Sequence, residues 1–90
     1  MRIDLYLKLI GAAKTRSQAA RRVDNGRVRL QGHAGTLKNS HEVTPGERYE
    51  VDKPAGTDVY EVLAVPPGNS LAKADRAKYS VVTQNRSTMP

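Results

Sequence analysis

Only eighteen of the 90 residues are Leu, Ile or Val, and Phe and Trp are absent. This scarcity constrains the fold most. So few large apolar side chains can fill the core of one small domain and no more, and part of the chain is expected to order only against a partner. A multi-domain enzyme with separate cofactor and substrate lobes is excluded. With no cysteine, a disulfide scaffold, a Cys-ligated zinc or iron–sulfur site and a thiol nucleophile are excluded too, which fits a reducing compartment. No apolar run approaches the roughly 20 residues that span a bilayer, and no apolar h-region follows Met1-Arg2, so a soluble, cytoplasmic chain is expected. Asn85-Arg86-Ser87 has the form of a glycosylation acceptor, which without a secretion signal is read as chance.

The charge is uneven. Residues 1–38 carry nine bases (Arg2, Lys8, Lys14, Arg16, Arg21, Arg22, Arg27, Arg29, Lys38) against Asp4 and Asp24, a balance of +7. Residues 39–90 carry six bases and seven acids, a balance of −1. A basic field confined to one segment points to a polyanionic partner.

Apolar spacing at Ile3, Leu7 and Ile10 predicts a first helix over 3–10, with Asp4 at the positive end of its dipole and Gly11 breaking it. Thr15 followed by Gln18 has capping-box form, and Ala19, Ala20 and Val23 predict a second helix over 16–24, closed by Asn25-Gly26. Period-two alternation predicts strands at 27–30 and 48–51, with Tyr49 and Val51 buried, and Thr44-Pro45-Gly46 forms a turn. A short strand is expected near Thr36 and Leu37. A breaker-rich connector over 53–57 leads to a strand over 59–65. Asn69 or Ser70 begins a last helix reaching Val82 on a poor apolar face, and 84–90 is expected to be disordered.

Catalysis finds no foothold. His33 and His41 lack the spacing of metal ligands and read as solvent-exposed. Ser40 and His41 are adjacent in an extended segment, so they point apart and cannot act as nucleophile and base. Gly32-His33-Ala34-Gly35 matches the Gly-x-x-Gly clamp of KH domains, but it follows a strand instead of joining two helices. No metal, cofactor or small-molecule substrate is expected. The cations do form a pattern. Arg16 and Ser17 occupy the first turn of the second helix, where free N–H groups and the dipole favour a phosphate. Gln18, Arg21 and Arg22 cover its outer half, and Lys14, Lys8 and Arg2 extend the patch. Tyr6, Tyr49 and Tyr60 have core positions, so no stacking platform for single-stranded bases can be built. The patch therefore suits the phosphate ridges of folded RNA. Two short helices joined by a few residues also imitate a helix-turn-helix, so a DNA-binding regulator is the alternative, although nothing in the chain sets half-site spacing. Docking to an anionic membrane would need a stronger apolar face beside the cations.

Arg2-Ile3-Asp4-x-x-Leu7, Thr15-Arg16-Ser17-x-Ala19, Gly26-x-Val28-x-Leu30-x-Gly32 and Val43-x-x-Gly46-Glu47-x-Tyr49-x-Val51 resemble, in order and spacing, the alpha-L RNA-binding domain first described in the fourth protein of the small ribosomal subunit. With its short extension the chain is most similar to the ribosome-associated heat shock protein 15 family. The resemblance implies an α+β fold, with two N-terminal helices on a small, bent, mainly antiparallel sheet, followed by a C-terminal strand and a short helix. It divides the chain into an RNA-binding domain over 1–52, an extension over 53–83 and a tail over 84–90. It carries RNA contacts onto Arg2, Lys14, Arg16 and Ser17, with Arg21 and Arg22 on the next turn. It adds Lys38, in a loop that reads Lys38-Asn39-Ser40 where the family usually has Lys-Pro-Ser. It further implies a non-enzymatic protein that binds ribosomal RNA and tRNA on stalled large ribosomal subunits, in heat-shock or translation quality control; a monomer is expected.

Overall fold

A computed structural model describes residues 1–54 and 56–86. Two helices, α1 (Ile3–Leu9) and α2 (Arg16–Asp24), precede a sheet of β1 (Val28–Leu30), β2 (Arg48–Lys53), β3 (Gly56–Val62) and β4 (Ser80–Arg86), with a 3-10 helix over Lys73–Lys78. The strands are antiparallel and lie in sequence order, so the sheet is a meander with β1 and β4 at its edges.

Both helices end in the same way, and the reason is local. Gly11 has φ of 85° and Gly26 of 72°, conformations that side chains with a Cβ resist. The Gly11 and Ala12 N–H groups donate to the Lys8 and Leu7 carbonyls, and those of Gly26 and Arg27 donate to the Val23 and Arg22 carbonyls. Each pair is a Schellman closure that satisfies carbonyls a helix end would otherwise leave bare. At the start of α2 the Thr15 hydroxyl accepts the Gln18 N–H at 3.0 Å, and the Gln18 side-chain oxygen accepts the Lys14 N–H at 2.8 Å. The Thr15 half of the expected cap is therefore present, while the Gln18 side chain takes the N–H of Lys14, one residue before the cap, instead of that of Thr15.

The helices bury Ile3, Tyr6, Leu7, Ile10, Ala19 and Val23 against Val28, Tyr49, Val51, Tyr60 and Val62 of the sheet. The expected core tyrosines Tyr6, Tyr49 and Tyr60 are all inside. A buried phenol needs a partner for its hydroxyl. Tyr6 donates to the Tyr79 carbonyl at 2.9 Å, Tyr49 donates to Glu47, and the Tyr60 oxygen accepts from Lys53. Burial raises the Tyr6 hydroxyl pKa to about 12.

Three expectations are corrected. No strand forms around Thr36 and Leu37; Leu37 is buried from an irregular loop. The strand expected over 59–65 begins earlier, at Gly56, because β2 and β3 form a hairpin in which Lys53 pairs with Gly56. Asp58, Tyr60 and Val62 then face inward, with buried Asp58 accepting from Lys53 Nζ at 3.1 Å. The last helix is the largest difference. Only Lys73–Lys78 is helical, it buries no residue, and the chain then becomes β4 and pairs with β3 from Val62↔Ser80 to Gly56↔Arg86. A row of unpaired backbone groups on β3 and β-branched residues at Val81, Val82 and Thr83 outweigh a weak helical stripe. The strand includes 84–86, expected to be disordered; the rest of that tail, 87–90, lies outside the described residues.

Candidate nucleic-acid interface

Asp4 organises the expected site. It lies in the first turn of α1, as the dipole argument requires, yet its side chain is only 6% exposed and holds two cations. Arg2 Nη2 lies 3.2 Å from Oδ2, and Arg16 Nε, from the first residue of α2, lies 3.3 Å from Oδ1. The Leu5 N–H also donates to Oδ1 at 2.8 Å. The two arginine side chains stay about half exposed, at 48% and 49%. One carboxylate faces two guanidinium groups, so the group keeps a net positive charge while both forks are held at the start of α2. The Thr15 cap consumes the Gln18 N–H, leaving those of Arg16 and Ser17 in the exposed first turn for an incoming acceptor.

The remaining expected residues fall into smaller groups. Lys8, half-buried, and Lys14, exposed, line one cavity at the end of α1. Gln18, Arg21 and Arg22 line another along α2, together with Arg27. Arg21 is exposed, but Arg22 is turned inward and donates from Nη1 to the Ala12 carbonyl at 2.8 Å. Arg22 thus clamps the loop between the helices, and only part of its guanidinium faces outward. Lys38 is exposed on a loop pinned to α2 by its neighbour: Asn39 Nδ2 donates to the Ala20 carbonyl at 3.1 Å and to Asp24 Oδ1 at 2.8 Å.

Arg29, open to either an RNA or a strand-surface reading from the sequence, is committed to the sheet. It forms two parallel 2.8 Å bonds to Asp52 and a 3.3 Å contact to Glu50 on the neighbouring strand. Its hydrogen bond holds the Asp52 carboxyl at about 2 and raises the guanidinium pKa further. His41 is not simply solvent-exposed: it is half-buried and bonded to Glu47 at 3.0 Å, whereas His33 is exposed.

Three cations stand beside the expected set without belonging to it. Arg27 lies next to Arg21. Its place directly after the Gly26 closure is a signal the sequence does carry. Lys73 and Arg76, which the sequence leaves open between RNA contact and solvation of a weak helix, reach the Lys8 and Lys14 cavity from the C-terminal extension, and no local signal could have placed them there.

Two helices on an antiparallel meander, with the Arg2 and Arg16 guanidinium groups brought together at the start of the second and further cations in separate groups beside them, define a small basic α+β domain. The S4-domain family profile matches residues 1–48, and the chain belongs to that family. Membership supports an RNA-binding role. Among solved structures, the trimeric heat shock protein 15 of Vibrio cholerae superposes with a TM-score of 0.80 at 20% identity, covering 96% of this chain and 84% of that one. A hypothetical protein designated HP1423, solved in solution, superposes with a TM-score of 0.76 at 28% identity, covering 96% of this chain and 100% of that one. No curated protein sequence matches significantly. Among the described residues no helix is long and apolar enough to cross a membrane, and no group of three His, Cys, Asp or Glu side chains could hold a metal ion.

Proposed function

We propose that this protein binds structured RNA without transforming it, using residues 1–52 as its binding unit and the start of α2 as its anchor. Arg2, Arg16 and Ser17 grip a backbone phosphate, Lys14 and Lys8 extend the contact toward the end of α1, and Gln18, Arg21 and Arg22 extend it along α2. Lys38 reaches the same RNA from the pinned loop. The RNA is ribosomal RNA and tRNA on a stalled large subunit in the cytoplasm, in a heat-shock or quality-control role. One observation carries the reading: buried Asp4 draws Arg2 and Arg16 together beside unspent N–H groups of a helix start, an arrangement built for an anion.

Crosslinking in cells followed by RNA sequencing tests the target, with reads expected on large-subunit ribosomal RNA and tRNA. Filter binding tests the anchor. Arg16→Ala should weaken binding to bulk tRNA about tenfold, the worth of one charge-assisted contact, whereas Arg48→Ala, on the sheet and paired with Glu61, should change it less than about twofold. Equal losses would remove the anchor.

A further inference from the structure

A cavity of about 430 Å³ opens between the end of α1, the loop that follows it and the segment around the 3-10 helix. Lys8 and Lys14 line it from the amino-terminal half, Ser70, Lys73 and Arg76 from the other, and among the described residues no acid lines it. We propose that this cavity is a second phosphate seat, in which the residues after the sheet hairpin hold the RNA backbone next to the α2 anchor. The inference rests on the RNA-binding reading and extends the site beyond residues 1–52.

Four cations converging without a carboxylate repel one another, and an anion between them removes that repulsion. The arrangement is also held in place. Arg76 Nε donates to the Leu9 carbonyl at 3.2 Å, and its guanidinium lies so close over Gly11 that a Cβ there would come within 2.5 Å of Nη1. Tyr6 bonds the Tyr79 carbonyl just beyond, so the segment is tied to α1 at two points. The neighbouring acid is occupied elsewhere, since Asp75 pairs with Lys78 at 3.1 Å. A fixed guanidinium flanked by ammonium groups on flexible stems suits a phosphate, and the volume lies in the range that accepts a nucleotide-sized group. Leu9 and Leu71 add apolar lining on which a ribose can rest. Because Lys14 directly precedes the Thr15 cap, the seat adjoins the anchor and one strand of RNA can occupy both.

The test compares variants of the full chain in bulk tRNA binding. Lys73→Ala should weaken binding about fivefold and make the slope of log K against log salt shallower by about 0.7 to 0.9, the value of one phosphate contact. Lys78→Ala, on the same 3-10 helix but outside the cavity, should stay within about twofold of the parent. Pyrophosphate added to the isotopically labelled protein should shift the Gly11 and Ser70 amide signals, and Lys73→Ala should reduce those shifts. Equal losses for Lys73→Ala and Lys78→Ala would reduce the effect to general charge and overturn the seat. So would an unchanged Lys73→Ala beside a weakened Arg16→Ala, which leaves the α2 anchor standing. Tight pyrophosphate binding in the cavity with unaltered tRNA affinity would make it a site for a free phosphate compound instead. If Arg16→Ala is also without effect, the RNA reading itself fails.

Discussion

At Asp4, burial and charge work against each other. A carboxylate this deeply placed must be compensated, and it is, by Arg2, Arg16 and the Leu5 N–H. The dipole argument locates Asp4 in a first turn but cannot show that its partners come from the starts of two different helices. If its task is to aim the guanidinium groups, Asp4→Asn should weaken RNA binding even though it makes the protein more positive. It should also cost about 1–3 kcal/mol of stability, since a buried acceptor for charged donors is lost. Filter binding and urea unfolding read the two effects, and stronger binding by the variant would defeat the aiming role. Arg29 and Asp52 make a separate prediction on the sheet. The Asp52 carboxyl falls from an ordinary 3.8 to about 2 in the folded chain. The folded state therefore releases its proton more readily, and the stability it confers is fully present above the unfolded pKa and lost as pH falls from about 4 to about 2. Both partners are substantially exposed, 45% for Arg29 and 33% for Asp52, so the contribution is the ~0.2–1 kcal/mol of a surface pair. Urea unfolding of Asp52→Asn should show a correspondingly smaller loss between pH 4 and pH 2 than the parent.

Among elements, legibility follows the range of the forces that make them. The bounds of α2 can be read because Thr15, Gln18 and Gly26 each act on groups three or four residues away, and β1 and β2 because alternation is local. The C-terminal stretch cannot, because β4 exists to cover β3, and neither its register nor the bend before it is written in 70–86. The same limit hides half of the proposed interface, since Arg76 finds the Leu9 carbonyl across 67 residues. Arg22 escapes for a related reason: helical periodicity assigns it an outer face but does not reveal the Ala12 carbonyl waiting beside it. The two glycine closures separate backbone strain from crowding. Gly26 has open space where a methyl group would stand, whereas Gly11 has the Arg76 guanidinium there. Gly26→Ala should cost the ~1–2 kcal/mol of a left-handed alanine, and Gly11→Ala that amount plus the displacement of Arg76. Thermal unfolding should rank Gly11→Ala clearly lower, and equal midpoints would mean that Arg76 yields freely.

For the whole molecule, the lopsided charge takes a definite form. Acids of the second half pair with bases on the sheet, as Asp52 and Glu50 do with Arg29 and Glu61 does with Arg48, while Lys8, Lys14 and Lys73 line a cavity to which no described acid contributes. The helix side thus keeps a cationic field that the sheet side cancels. If roughly 4 to 6 phosphates are neutralised, log K for tRNA should fall against log salt with a slope near −3 to −5. A titration from low to physiological salt measures it, and a flat response would deny an ionic interface. The bond from Tyr6 to the Tyr79 carbonyl also bears on synthesis. The first helix gains this partner only after Tyr79 has been added, so α1 emerges from the ribosome long before its buried phenol can be satisfied.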